Sequence, residues 1–177
     1  AARLFSNDED LTTLLSAGLV ITVGSVGWTL GSWLQARPWL RLSRDQIIVV
    51  GTLGVVAGVA VCALAAWWPP ADLLLATLGF SVCGLGMGLL MASTNLATMQ
   101  LSSEAELGRN TSSLQVGETA GNALLVGAAG TVFAALNPVA STTLTFGTQM
   151  TLLALVAGLA VMAALRIGHV TNHSLLD

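Results

Sequence analysis

An all-α integral membrane protein with five transmembrane helices is the fold class this sequence predicts, and three observations carry it. Charged residues make up only 8% of the chain, against about 25% in ordinary soluble domains. Hydrophobic residues make up 54%, with a mean hydropathy of +0.81. Five separate stretches have the roughly 20 apolar residues that a helix needs to cross a hydrocarbon core. Each is too long for a buried strand, and none alternates in the manner of an outer-membrane barrel strand. With so few charges, the formal net charge of −3 says less than where the charges sit.

The polar opening AARLFSNDED, residues 1–10, reads as an extracytoplasmic loop. Neither an initiating Met nor the n-region, h-region and cleavage site of a signal peptide opens it. Span one, 11–36, holds no charge and ends at Arg37-Pro38, because the residue before a proline is pushed out of the helical region. Span two, 46–68, is closed by Pro69-Pro70; span three covers 73–101; span four, 110–136, is closed by Asn137-Pro138; span five covers 146–165. The bundle is therefore expected within 11–168, followed by a tail at 169–177.

Arginine placement predicts sidedness. The loop between spans one and two holds Arg37, Arg41 and Arg44; the loop between spans three and four holds Arg109; Arg166 follows span five. These five of six arginines share one side, and short arginine-rich loops stay cytoplasmic. The expectation is a multi-pass protein of the plasma or inner membrane with a cytoplasmic C-terminus. An odd span count leaves the termini on opposite faces, which fits a fragment with a further helix upstream.

Polarity is uneven among the spans. Span one carries Ser16, Thr22, Ser25, Thr29 and Ser32; span three carries Ser81, Ser93, Thr94 and Asn95; span four carries Gln115, Glu118, Thr119 and Asn122. Polar groups in a membrane face protein or a water-filled cavity, so spans one, three and four are expected to line an interior, with two and five outside them. Gly24, Gly27 and Gly31, Gly54 and Gly58, Gly84 and Gly88, and Gly117 and Gly121 read as small-residue pairs that let helices approach closely. GLGMG at 84–88 has neither the spacing nor the preceding strand of a phosphate loop.

Glu118 is the one carboxylate within SSLQVGETAGNAL, residues 112–124. With a helix starting near Asn110 it lies about 12 Å along the span, and a charge at the centre of a transmembrane helix costs on the order of 2.5–3.5 kcal/mol. It is tolerated if it faces water, meets a partner or takes up a proton. Gln115, Glu118 and Asn122 share one helix face. That stripe suits proton relay or substrate contact, or equally an interhelical hydrogen bond, or a vestibule facing the cytoplasm. Asn95 of span three is a further candidate for substrate or helix contact. Trp28 and Trp33 read as interface anchors, Trp67 and Trp68 as the opposite aromatic belt. No metal site is expected: His169 and His173 lack a third ligand, and Cys62 and Cys83 read as small hydrophobes. Nor is a cofactor, a nucleic-acid partner or an enzyme expected, since the paired acid–base, nucleophile and metal constellations are missing.

GWTLGSWLQAR at 27–37, followed by a basic loop, resembles the second-half copy of the G-x-x-x-D-R-x-G-R loop motif of the major facilitator superfamily, at the cytoplasmic end of helix 8. Gly31 matches the first glycine, Gln35 stands where the Asp would be, Arg37 retains a basic residue, and the final G-R is not recognisable. The stretch 83–136 resembles helices 10 and 11, nearest the drug:proton antiporter branch. The resemblance implies helices 8–12 of a twelve-helix carrier, a partial six-helix C-terminal bundle in which helices 8, 10 and 11 line the cavity while 9 and 12 face lipid. It further implies proton-coupled efflux of drugs or small molecules by alternating access, with the N-terminal half of the same transporter as partner. The alternative class is a non-transporting helical membrane scaffold or a subunit of a larger membrane complex.

Overall fold

The computed structural model describes residues 8–37, 42–68 and 71–167. These residues form five α-helices and no strands: α1 Asp8–Gln35, α2 Arg44–Trp67, α3 Asp72–Leu101, α4 Leu107–Leu136 and α5 Thr142–Ala164. All five are long and apolar enough to cross a membrane, the make-up of a multi-pass membrane protein. Pro38, Arg41, Pro69, Pro70, His169 and His173, with the first seven residues and the tail, lie outside the described residues.

The helices begin earlier than the apolar stretches do. α1 starts at Asp8, inside the segment read as a loop, α4 at Leu107 and α5 at Thr142. Hydropathy marks where a span enters hydrocarbon, whereas backbone hydrogen bonds and caps decide where a helix starts. At α5, Ser141 Oγ accepts a hydrogen bond from Leu144 N at 3.3 Å, one of the otherwise orphaned first-turn N–H groups. At α2, Gln46 Oε1 accepts from Ser43 N at 3.1 Å. At α3, Asp72 Oδ1 accepts from Leu73 N at 2.6 Å.

α3 is the central element, packed along α1 on one flank and α2 on the other, while α5 packs on α2 and α4 packs lightly on α3 and α5. Glycine makes this possible. A Cβ on Gly27 would stand 2.6 Å from Ser81 O, one on Gly51 2.8 Å from Gly86 O, and one on Gly86 2.6 Å from Val55 N. The contacts fix direction as well. Gly27 and Gly31 meet Leu85 and Leu89 in ascending order, so α1 and α3 run parallel; Gly51 meets Leu90 while Gly58 meets Cys83, so α2 runs against α3. Lipid tails are as apolar as leucine, so close backbone approach supplies the dispersion contacts that hold such helices together. The residual core is small, a cluster of Ile48, Ala97 and Ala164 flanked by Val49 and Leu90. At its far end α2 is tied to α5, where Trp67 Nε1 donates to Thr151 Oγ1 at 3.1 Å and the indole lies over Gly147.

This packing departs from the expected division into lining and outer spans. α2, the least polar, contributes the most buried residues, and α4, among the most polar, has none. The hydroxyls of α1 explain part of the difference. Thr22, Ser25 and Thr29 are exposed and donate to the carbonyls of Gly18, Ile21 and Ser25 at 2.8, 2.9 and 3.0 Å. A hydroxyl that bonds back one turn needs no cavity.

Candidate functional site

The alternation of helix direction gathers Arg37, Arg44, Arg109 and Arg166, the arginines among the described residues, at one end of the bundle. There α3 hands over to α4 through the turn 102–106. Leu107 N donates to Ser103 O at 2.9 Å, and Arg109 pairs with Glu106 at 2.7 Å. Asn110 Nδ2 donates to Ser102 Oγ at 2.9 Å, and that hydroxyl donates on to Thr98 O at 2.6 Å. Above this clamp the two helices share few contacts.

Glu118 follows two turns further on. Gln115 Nε2 donates to its Oε2 at 3.3 Å, so the structure joins these two predicted residues directly. Thr119 donates its hydroxyl to Gln115 O at 2.8 Å, again satisfied within the helix. Asn122, one turn beyond Glu118, is exposed and makes no side-chain hydrogen bond among the described residues. Glu118 is half-buried, in line with half-buried Asn110, Leu114 and Gly121 on α4, and Gln115 is exposed. Because α4 starts at Leu107, Glu118 lies about 16 Å along the helix rather than about 12 Å. The extra turn carries exposed Arg109, so the depth measured from the Asn110 clamp is still about 12 Å.

Asn95, on α3, is exposed and has no hydrogen-bond partner among the described residues. It precedes Ser102 by seven residues and Glu118 follows Asn110 by eight, so both lie about 11–12 Å from the clamp on antiparallel helices. They share a depth. Gly117 and Gly121, expected to pack on a neighbour, have nothing within 4 Å of where a Cβ would stand, and the same is true of Gly127 and Gly130. The glycines of α4 thus have room beside them, and of the polar stripe Gln115 and Asn122 are exposed while Glu118 is half-buried.

The loop-motif residues sit together at the arginine end. Gly31 lies against the backbone of Leu85 and Leu89. Gln35 Oε1 accepts from Arg44 Nη1 at 2.7 Å. Arg37 stacks on the Trp33 ring, 3.9 Å from its centroid.

Two features escape sequence reading. A cleft of about 780 Å³ opens at the opposite end among α1, α2, α3 and α5, with Thr13, Ser16, Asp72, Thr142 and Thr143 in its polar lining. A smaller one, about 230 Å³, lies between α4 and α5. There Gln149 Nε2 donates to Ala129 O at 3.5 Å while its Oε1 is buried without a partner. A glutamine inside an apolar span was the available signal for the second; nothing in the sequence points to the first, which arises where four helix ends splay. Neither cleft includes Glu118. No metal-binding group of three His, Cys, Asp or Glu occurs among the described residues. Comparison with known families, curated proteins and solved structures finds no match.

Proposed function

We propose that this chain forms one wall of a secondary transporter that works by alternating access and exports drugs or other small molecules in exchange for protons. The observation that carries the reading is the Gln115–Glu118 hydrogen bond about 12 Å from the arginine end of α4, where Glu118 is half-buried and Gln115 and Asn122 beside it are exposed. A carboxyl at that depth needs water, a partner or a proton, and an open polar face beside it is where a water-filled route or a substrate would supply one. The resemblance of Gly31, Gln35 and Arg37 to the major facilitator loop motif, and of 83–136 to helices 10 and 11, agrees with it. In this reading the arginine end faces the cytoplasm, and the second wall comes from the N-terminal half of the same transporter.

The chemistry follows from the pair. Glu118 holds a proton in one conformation and releases it in the other. Gln115 serves both states, because an amide donates through nitrogen to the carboxylate and accepts through oxygen from the protonated form. Asn122 and Asn95, free of hydrogen bonds within the described residues, offer amides to substrate at nearly the same depth. The test is substrate-driven proton flux in vesicles containing the complete transporter, wild type against Glu118→Gln. The variant should bind and exchange substrate yet lose proton movement, and proton flux unchanged in the variant would remove Glu118 from the mechanism.

A second reading is a helical scaffold or subunit of a larger membrane complex. It is favoured by Gly117, Gly121, Gly127 and Gly130, which meet nothing and present a surface on which another helix could lie closely. Vesicles in which no gradient of any tested drug-like cation or anion moves protons, with wild-type protein co-purifying with other membrane subunits, would favour it.

A further inference from the structure

We propose that the cleft at the end opposite the arginines binds an amphipathic amine, a protonated nitrogen carried on an apolar body. Its volume of about 780 Å³ lies within the range of about 300–1,000 Å³ usual for small-molecule sites. The lining is graded from polar to apolar. α1, α3 and α5 all begin at this end, and they place Thr13, Asp72, Thr142 and Thr143 at the outer level. Two turns further in, about 10–12 Å along the same helices, the lining residues are Val20, Phe80 and Met150. Phe146 stands between the two levels on α5. Phe80 and Phe146 lie against Gly24 and Phe133 respectively, yet stay 45 and 42% exposed. Both rings therefore keep surface for a further apolar or aromatic group.

The charge at this end is negative. Asp72 is exposed, and its Oδ1 accepts from Leu73 N at 2.6 Å. That leaves Oδ2 without a partner among the described residues. Asp8, Glu9 and Asp10 form the first turn of α1 at the same end, while the described arginines lie at the other. Three helix N-termini contribute roughly +0.5 of a charge each, against the full charges of four carboxylates, so a cation is the favoured ligand. The hydroxyls of Thr142 and Thr143 make no hydrogen bond among the described residues and add acceptors at the level of Asp72. An ammonium has three N–H donors and no acceptor, which suits a rim of this kind.

The occupant is a small amine rather than an aminophospholipid. A phosphatidylethanolamine headgroup carries a phosphate beside its ammonium, and no arginine among the described residues lies at this end to receive it. A neutral alcohol of the same shape would fill the apolar part and leave Asp72 unused. Neither Gln115 nor Glu118 borders the cleft, so the site is separate from the α4 stripe and stands whether or not the chain transports.

Equilibrium dialysis of naphthylethylamine against the full chain in mild detergent, with binding to empty micelles subtracted and naphthylethanol as the neutral comparator, tests this. Wild type should bind the amine about fivefold tighter than the alcohol, as expected for one exposed charge pair. Asp72→Asn keeps an acceptor for Leu73 N; it should bring the amine to the alcohol's affinity and leave the alcohol unchanged. Ala76→Met, which adds bulk between Asp72 and Phe80, should weaken both probes. Equal affinity for the two probes in wild type overturns the choice of a cation. Binding that neither Asp72→Asn nor Ala76→Met alters overturns the site. Amine binding lost in Glu118→Gln and kept in Asp72→Asn does so too, by placing the amine on α4. Phosphatidylethanolamine retained in native mass spectrometry, and not displaced by the amine, overturns the small-molecule assignment in favour of a lipid.

Discussion

Gly58 is a position where a single added carbon breaks the α2–α3 packing. A Cβ added there would stand 2.5 Å from Cys83 N, 2.6 Å from Gly79 O and 2.7 Å from Cys83 Cα, whereas ordinary van der Waals contact begins near 3.4 Å. All three opposing atoms are backbone, so no rotamer change relieves the clash, and α2 and α3 must separate by about 0.8 Å. A gap of that size forfeits roughly a quarter to a half of each dispersion contact along the seam. The reciprocal contact, Gly79 against Cys62, is lost with it. Overpacking of this kind costs about 1–3 kcal/mol, and Gly58→Ala is expected in the upper half of that range because α3 is the element on which α1 and α2 both pack. Thermal unfolding of purified protein followed by intrinsic tryptophan emission would read it, with Gly117→Ala as the control that meets nothing within 4 Å. The reasoning is refuted if Gly58→Ala melts with wild type, or if Gly117→Ala is destabilised as much.

Two smaller perturbations test the ends of the bundle. Thr151→Val keeps the shape and removes the acceptor for Trp67 Nε1; a loss of about 1 kcal/mol, seen as earlier thermal unfolding, is expected. Ser102→Ala removes the hydroxyl on which Asn110 rests, and amide hydrogen exchange should quicken in the first turn of α4 while that of α2 and mid-α3 is unchanged.

Five spans were legible because hydropathy over about 20 residues is a strong signal, and the glycine seams of α1, α2 and α3 were legible because small residues recur every three or four positions. Helix starts were less so: Ser141 and Leu107 lie outside the apolar stretches, where capping and backbone bonding act without a hydropathy change. The sorting of spans by polarity treated Thr22, Ser25 and Thr29 like Gln115 and Glu118. They differ physically. A hydroxyl satisfies itself on the carbonyl one turn back, while an amide or a carboxylate on a helix has groups left over that must find something else. Weighted in that way, Asn95, Gln115, Glu118 and Asn122 remain as the informative polar residues. The clasp of Arg44 on Gln35 and the unpaired Ser43 Oγ were not legible, since they depend on how two helix ends meet.

The two readings of α4 need not compete, because its polar and small residues occupy different sectors. Taking Gln115 as the origin at about 100° per residue, Asn122 and Glu118 lie within about 60° of it on one side. Gly117 and Gly121 centre about 140° from Gln115 in the same direction, and Gly127 and Gly130 about 90° from it on the other side. A helix covering Gly127 and Gly130 would leave Glu118 open, and would stiffen α4 beside it. An exposed helix held at one end by Asn110 and at the other by the Phe133–Phe146 contact, with ring centroids 5.7 Å apart, is not fixed along its middle by the described residues. Proton coupling requires Glu118 to keep one distance from its route in each conformation, so the glycine faces would supply the support that lets the polar face work. Gly121→Leu in the complete transporter separates the two roles. It should lower transport while leaving the protonation state of Glu118, read by carboxylate infrared absorption against Glu118→Gln, as in wild type. A changed carboxylate signal would mean that the glycine face and the polar face are one site.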